Sequence, residues 1–196
     1  MAARTGMTDL INDLRGLTDA GNDDYTIGTV TYWSDVALQG VLDKHRADFY
    51  EQAMQPAGSM VGGTVQYYRY DTGIKNQESG TAIFKVQDVL GNNYSGTAYG
   101  ADYTQGVITW NSNTLGSSIY LTGRTYDLNA AAADVWRHKA ANVAKAYDFS
   151  TDNHRMNRSQ LMAQFFQMAD YYARQAGPTT ITITRGDMVT GNYDLD

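Results

Sequence analysis

Apolar residues recur every three or four positions in two adjoining segments, one beginning at Asp127 and the other near Asn157. This spacing places them on one face of an α-helix. Asp127 can cap the first predicted helix through its side-chain oxygens, and Asn157 with Gln160 resembles a capping box at the start of the second. The first face carries Ala133, Trp136, Ala140, Val143 and Tyr147, and the second carries Leu161, Phe165, Met168 and Tyr172.

A second apolar row widens the face of the later helix. Wide faces occur in helices that are buried inside a bundle, and in helices that contact both their own domain and another subunit. Both interpretations stay open at this point. The second row consists of Met162, Phe166, Ala169 and Ala173.

The first fifty residues show the same periodicity in two further segments. A short helix is predicted over 8–17 with Thr8 as its possible cap, and a longer helix is predicted over 33–50. The shared face of the longer helix carries Leu38, Leu42, His45 and Phe49.

Between 62 and 122 the pattern changes to short β-prone runs separated by turn residues. These runs predict an antiparallel meander of four or five strands. Because the section lies between two helical sections, we expect an insertion carried by a helical bundle rather than a tandem domain. Strands are expected over 64–70, 81–88, 94–103, 106–110 and 119–122.

The predicted fold class is therefore α+β: a bundle of about four helices with an inserted antiparallel β meander and an extended C-terminal strand or tail. The helical pairs at 8–58 and 127–176 would form one bundle, with 62–122 as the insertion and 177–196 as a docking tail. Pro178 ends the last helix, and a β-branched run follows it. This run is expected to add to the sheet edge of a neighbouring chain, the alternative being the protein's own β section. Its residues are Thr180, Ile181, Thr182, Ile183, Thr184 and Arg185.

Composition narrows the classes of function. No apolar run in the 196 residues approaches the roughly 20 that a membrane span needs, and the N-terminus lacks a signal pattern, so a cytosol-like compartment is expected. The absence of cysteine excludes disulfides, thiolate chemistry and cysteine metal sites. A net charge of -6 argues against tight nucleic-acid binding. It does not exclude proximity to DNA, because an acidic surface lets this polyanion pass without binding it.

Two patterns resemble chemical sites, and each has a simpler explanation. Asp71-Thr72-Gly73 matches the tripeptide of aspartic proteases, but its flanks predict a polar hairpin turn. Residues 148–153 place oxygen-bearing side chains as a calcium loop does, but they lack the glycine of the sixth position, which favours capping and turn roles. The three histidines have no zinc-pair spacing. The sequence predicts no catalytic residue, no cofactor and no metal site.

Several motifs resemble those of the head–tail adaptor proteins of long-tailed bacteriophages, which are also called head-completion or connector proteins. The strongest is Ala-Tyr-Asp-Phe-Ser-Thr-Asp at 146–152, followed by Arg-Ser-Gln at 158–160 and Met-Ala-Asp-Tyr-Tyr at 168–172. The order of the predicted elements is similar as well. The other motifs are Tyr-Thr-Ile-Gly at 25–28, Thr-Tyr-Trp-Ser-Asp at 31–35, Val-Leu-Asp at 41–43 and Thr-Gly-Arg-Thr-Tyr-Asp-Leu-Asn-Ala-Ala-Ala-Ala at 122–133.

The resemblance implies a structural, non-enzymatic virion protein that is made in the host cytoplasm and lies at the head–tail interface. It implies a homo-oligomeric ring, dodecameric in the family, with the portal protein above and a stopper or tail-completion protein below. DNA would pass through the lumen without sequence-specific binding, and no membrane is involved. The tail after residue 177 would dock on the portal. Helical core and ring contacts are expected from Trp136, Tyr147, Phe149, Phe165 and Tyr172.

Two alternatives remain beside this hypothesis. The tyrosine-rich and glycine-rich section at 62–122 also fits a carbohydrate-binding, receptor-binding or decoration module of a virion. An aspartic-type protease built around Asp71 is the remote third.

Overall fold

Helices and strands occupy largely separate stretches in the computed structural model, which describes residues 2–21, 26–27, 30–31, 33–144, 149–151, 154–156 and 158–177. These residues form four α-helices and two larger antiparallel sheets, so the α+β class is confirmed. Short 3-10 turns, Thr5–Met7 and Asp43–His45, precede the first helix and follow the second. The helices are α1 (Thr8–Thr18), α2 (Asp35–Leu42), α3 (Leu128–Ala144) and α4 (Arg158–Gln175).

All paired strands run antiparallel. A three-stranded sheet has the order β3-β9-β6, a four-stranded sheet has the order β4-β5-β8-β7, and two small hairpins pair β1 with β2 and β10 with β11. The strands are β1 (Thr26–Ile27), β2 (Val30–Thr31), β3 (Arg46–Ala53), β4 (Gln55–Val61), β5 (Thr64–Asp71), β6 (Lys85–Gln87), β7 (Tyr99–Asp102), β8 (Val107–Trp110), β9 (Tyr120–Tyr126), β10 (Phe149–Thr151) and β11 (His154–Met156).

The helices before and after the β section share one apolar core. Leu14 of α1, Leu38 and Leu42 of α2, and Val135 of α3 are fully buried in it. Small residues on α3, such as Ala131, let the helices approach closely, since alanine adds no side chain beyond its β-carbon. Asp127 caps α3 as the sequence predicts, because its Oδ1 accepts a hydrogen bond of 2.9 Å from the backbone N–H of Ala130.

The prediction of a helix over 33–50 is wrong for the second half of that range. The helix ends at Leu42, and β3 begins at Arg46. Phe49 therefore does not share a helical face with His45; it is fully buried in the sheet core opposite Gly123 of β9. A β-carbon at Gly123 would come within 2.9 Å of the Phe49 ring, so this glycine makes room for the phenyl group. Pairing with a distant strand overrides the local periodicity here.

The β section differs from a meander of consecutive strands. Its first strand, β3, pairs with its last, β9, and β5 pairs with β8. The strands β3 and β4 were not predicted, and β4 lies before position 62. The runs at 64–70 and 106–110 are confirmed as β5 and β8. Three predicted runs have other bounds, since 81–88 and 94–103 shorten to β6 and β7, and 119–122 lengthens into β9.

The segment before α1 joins the helices to the sheets through a partly buried network of charged side chains. Arg4 Nε donates to Glu78 Oε1 at 2.8 Å, and Arg4 Nη2 donates to Asp43 Oδ1 at 2.6 Å. The Tyr126 hydroxyl donates to Glu78 Oε2 at 2.5 Å, and the Glu78 side chain is buried. The 3-10 turn that precedes α1 also leaves Thr8 inside a helical run, so Thr8 is not the cap that the sequence suggested.

A substitution at Gly6 tests this junction between the helices and the sheets, because Gly6 packs directly on the loop that carries Glu78. A β-carbon at Gly6 would overlap the backbone carbonyl of Ser79, so we expect Gly6→Ala to destabilise the fold by about 1–3 kcal/mol. The matched control is Gly16→Ala on the exposed side of α1, where nothing lies within 4 Å. That change should stabilise by roughly 0.5–1 kcal/mol. Urea unfolding measures both, and equal effects would contradict the packing described.

Candidate assembly surface

Trp136 of α3 connects three helices. Its ring centroid lies 5.4 Å from that of Phe165 on α4, and its indole Nε1 donates to the backbone oxygen of Leu17 at 3.3 Å. Lys139 Nζ lies 5.0 Å from the centre of the same ring and donates to the carbonyl of Thr18 at 2.8 Å. These contacts connect the packed pair of α3 and α4 to the C-terminal end of α1.

The helix α4 packs along α3 but leaves most of its surface in solvent. Of its residues with described side chains, Ala169 alone is buried. Tyr172 is half-buried and packs against the helical core, and its ring meets that of Tyr171 at 5.2 Å. Most of the described side chains of this 18-residue helix are therefore exposed or half-buried.

Large apolar side chains emerge on both flanks of α4. Phe166 is 45% exposed and Met168 is 37% exposed. Because consecutive residues turn by about 100°, these two side chains point about 160° apart around the helix. Tyr171, which is 57% exposed, lies three positions after Met168 and on the same side. The helix therefore presents two separate apolar edges beside the face that packs on α3.

The structure brings together three of the five helical residues singled out in the sequence. Trp136 and Phe165 are in contact, and Tyr172 packs about two turns further along α4. Phe149 lies in β10, but its side chain falls outside the described residues, as does all of Tyr147. The docking residues 180–185 also lie outside the described part of the chain.

A second exposed surface was missed from the sequence. Gly62 and Gly63, both with positive φ, form the two-residue turn of a hairpin between β4 and β5. We call residues 58–67 of this hairpin the β4–β5 arm. The glycine pair between the apolar pair Met60-Val61 and Val65 was the signal that could have revealed it.

The Asp71-Thr72-Gly73 tripeptide has a structural role at its place in the fold. Asp71 Oδ1 accepts a hydrogen bond from the backbone N–H of Gly73 at 2.9 Å, which makes an Asx turn. Thr72 is buried, and its hydroxyl donates to the carbonyl of Gly106 at 2.8 Å. In the described structure Asp71 is the single acidic residue lining the adjoining cleft. A protease dyad needs two carboxylates that share a proton, and this geometry does not favour one.

The aromatic residues of the β section pack against one another. Trp110 is buried, with the rings of Tyr94 and Tyr99 centred 4.8 Å and 5.4 Å from it and that of Tyr70 at 6.3 Å. Burial raises the pKa of Tyr94 and Tyr99 above the ordinary tyrosine value. Because the indole is enclosed, it offers no flat aromatic face for stacking against a sugar. Trp110 therefore lends no support to the carbohydrate-binding alternative.

Polar and charged side chains around the middle of α3 form pairs rather than a metal site. His45 Nε2 lies 2.9 Å from Asp134 Oδ2, and Arg137 donates to the other oxygen at 3.1 Å. Burial alone would raise the pKa of Asp134, but these two partners bring it below its usual value. Within the described ranges, no three or more His, Asp or Glu side chains are grouped to hold a metal ion. The loop at 148–153 lies partly outside those ranges.

Comparison of the chain with protein families, with curated proteins and with solved structures finds no match. Among the described residues, no helix combines the length and the apolar character that crossing a membrane requires. The function is therefore inferred from the sequence motifs and from the surfaces that the fold leaves exposed.

Acid should weaken the fold through Asp43. The hydrogen bond from Arg4 outweighs burial and holds the pKa of this carboxyl below its usual range. A lowered folded-state pKa contributes stability above the ordinary value of about 3.9, and this stability is lost as the pH falls through the lower folded value. Urea unfolding should therefore show a free energy of unfolding that falls below about pH 4, and less steeply in Asp43→Asn. Asp9→Asn, at an exposed carboxyl of α1, is the control; identical acid dependence in both variants would contradict this assignment.

Proposed function

We propose that this protein is a structural, non-enzymatic virion component, a head–tail adaptor that forms a homo-oligomeric ring beneath the portal and extends the DNA channel toward the tail. In this proposal the helices form one bundle, the β section is an insertion in it, and residues 177–196 form an extended docking tail. Support comes from the adaptor-like motifs along the chain and from the exposed surface of α4.

The observation that carries the proposal is the pair of apolar flanks on α4. Copies joined head to tail in a ring need two different surfaces on each subunit, one for each neighbour. Phe166 lies on one flank and Met168 with Tyr171 on the other, while the face between them packs on α3. Exposed apolar side chains beside a packed helix are typical of a contact that another chain covers.

Charge supports the same proposal for the channel. A ring of copies that each carry a net charge of -6 is acidic overall, so DNA phosphates find little to bind on it. A DNA conduit needs this property, because strong phosphate contacts would retain the passing polyanion. No catalytic group is required for such a role.

The two ends of the ring are assigned to two partners. The tail, including Ile181, Ile183 and Arg185, would dock on the portal, since an alternating β-branched strand can add to the edge of a partner's sheet. A stopper or tail-completion protein would bind the opposite end. The family resemblance supports both assignments.

Substitutions on α4 test the ring. Phe166→Gln and Met168→Gln each make one flank polar, and full burial of such a side chain is worth roughly tenfold or more in an equilibrium constant. We expect each variant to lose closed rings in electron microscopy of the protein mixed with its portal. Their thermal unfolding should fall only modestly, because each side chain is partly exposed, Phe166 at 45% and Met168 at 37%.

Gln167→Ala, between the two positions and on the solvent side of α4, is the matched control and should form rings normally. An equimolar mixture of the two Gln variants should give pairs of subunits without closed rings. In this mixture both apolar flanks are kept only where the Phe166 flank of a Met168→Gln copy meets the Met168 flank of a Phe166→Gln copy. Each pair can form that contact once, so no further copy is added. Normal rings from either variant alone would refute the role of α4.

A truncation tests the docking tail. The chain ending at Gly177 keeps α1 to α4 and all the described strands, so it should remain folded by circular dichroism. We expect it to lose at least about 100-fold in affinity for the portal, since a docked strand loses its backbone pairing and two isoleucine contacts together. Affinity equal to that of the full chain, measured by surface plasmon resonance, would assign portal binding elsewhere.

A further inference from the structure

The β4–β5 arm has one apolar face and one mostly polar face, on which Val61 is the single apolar side chain. Cross-strand partners lie on the same face of an antiparallel pair, so the register determines the sides. Gly58 pairs with Tyr67 and Met60 with Val65 on one face. On the other face Ser59 pairs with Gln66 and Val61 with Thr64.

The apolar face is continuous from the base of the arm to its tip. A β-carbon on Gly58 would come within 2.9 Å of Val65 and 3.1 Å of Tyr67, so these side chains pack over the glycine. Gly116, in the loop before β9, approaches the other edge of the same tyrosine ring. Met60 is nevertheless 71% exposed and Val65 is 50% exposed. An alternating ribbon normally buries its apolar side, and this one leaves it in solvent.

The arm extends beyond the sheet that carries it. Pairing of β5 with β8 involves residues 69–71 alone, so 58–67 continues past that sheet as two strands. At its base, Tyr67 N–H donates to Asn113 Oδ1 at 2.9 Å, and the Thr114 hydroxyl donates to the Tyr67 carbonyl at 2.9 Å. Two-stranded ribbons are at best marginally stable in water by themselves. A covering partner would supply the missing contacts.

The charge pattern selects the kind of partner. Residues 52–68 contain no charged side chain, and all seven residues of β4 are exposed at the edge of their sheet. Edges of this kind usually carry a lysine or another charge that prevents pairing with a second chain. Pro56 is a protective residue, but it lies at the base, outside the arm. A nucleic acid or an anionic lipid surface would find no cation here to bind.

A second copy of this chain fits the arm best. Copies that each carry a net charge of -6 repel one another, so their contacts are favoured where the surface has no charge. We propose that the apolar face of the β4–β5 arm, formed by Met60, Val65 and Tyr67, docks on a neighbouring copy of the chain. This inference rests on the proposed function in that the copies assemble, and it adds a second contact, distinct from α4.

A photo-cross-linking experiment identifies what covers the arm. The full-length chain carries the photo-reactive amino acid benzoylphenylalanine in place of Met60 and is mixed, with portal present, from natural-isotope and heavy-nitrogen-labelled preparations. We expect cross-linked peptides that contain one natural and one heavy partner, because these arise only between copies. The same residue placed at Ser59, on the polar face, is the control and should give markedly fewer. Cross-links confined to one copy, cross-links to the portal alone, or none at all would overturn the proposal.

A substitution pair measures the contact without a cross-linker. Met60→Gln with Val65→Thr makes the face polar and keeps β-compatible side chains, and it should weaken self-association by at least about tenfold in sedimentation velocity. Ser59→Thr with Gln66→Thr, on the opposite face of the same strands, should leave association unchanged. Unaltered association in the first pair would overturn the proposal, provided that circular dichroism shows both pairs folded.

The outcomes for the arm and for the proposed ring can be separated. If portal-dependent rings form and the Met60 and Val65 variant joins them normally, the arm proposal fails and the adaptor function stands. If the arm links copies but no ring forms with portal, the adaptor proposal fails and the arm contact stands.

Discussion

The buried carboxylate of Glu78 is the constraint on which the rest of the molecule depends. Burying an unpaired charge costs several kcal/mol, so Arg4 and Tyr126 must stay in place around it. Burial and Glu78 together raise the pKa of Tyr126 above its ordinary value. Because Tyr126 ends β9 and Asp127 caps α3 directly after it, the same carboxylate aligns the sheets with the helices.

This alignment decides which surfaces the fold leaves uncovered. With α3 fixed against α1 and α2, α4 has one side on which to pack and two flanks in solvent. In the four-stranded sheet β5 pairs with β8 at residues 69–71 alone, and the β4–β5 arm continues past that pairing. Both surfaces are apolar, and the arm has no charge at all. These two surfaces are the ones on which the proposals of a ring contact and of an arm contact rest.

Local signals predicted three of the four described helices well and the sheets poorly. The bounds of α1, α3 and α4 follow from apolar spacing and from side-chain caps such as Asp127, since these interactions lie within a few residues of each other. The strand β3 was assigned to a helix because Phe49 falls at helical spacing from Leu42. Its partner β9 lies about seventy residues later, and no local pattern contains that pairing. The exposed arm was missed although its glycine pair marks a hairpin, because an isolated apolar pair predicts no particular partner.

The sequence by itself determined the α+β class, the amphipathic helices, the acidic and cysteine-free composition and the adaptor-like motifs. The tertiary structure alone decided that Phe49 enters a sheet, that β3 pairs with β9, and that apolar side chains remain exposed on α4 and on the arm. The physical reason is that periodicity and capping act between near neighbours in the chain. Exposure depends instead on which distant segments cover a side chain, as the positions of Phe166 and Met60 show.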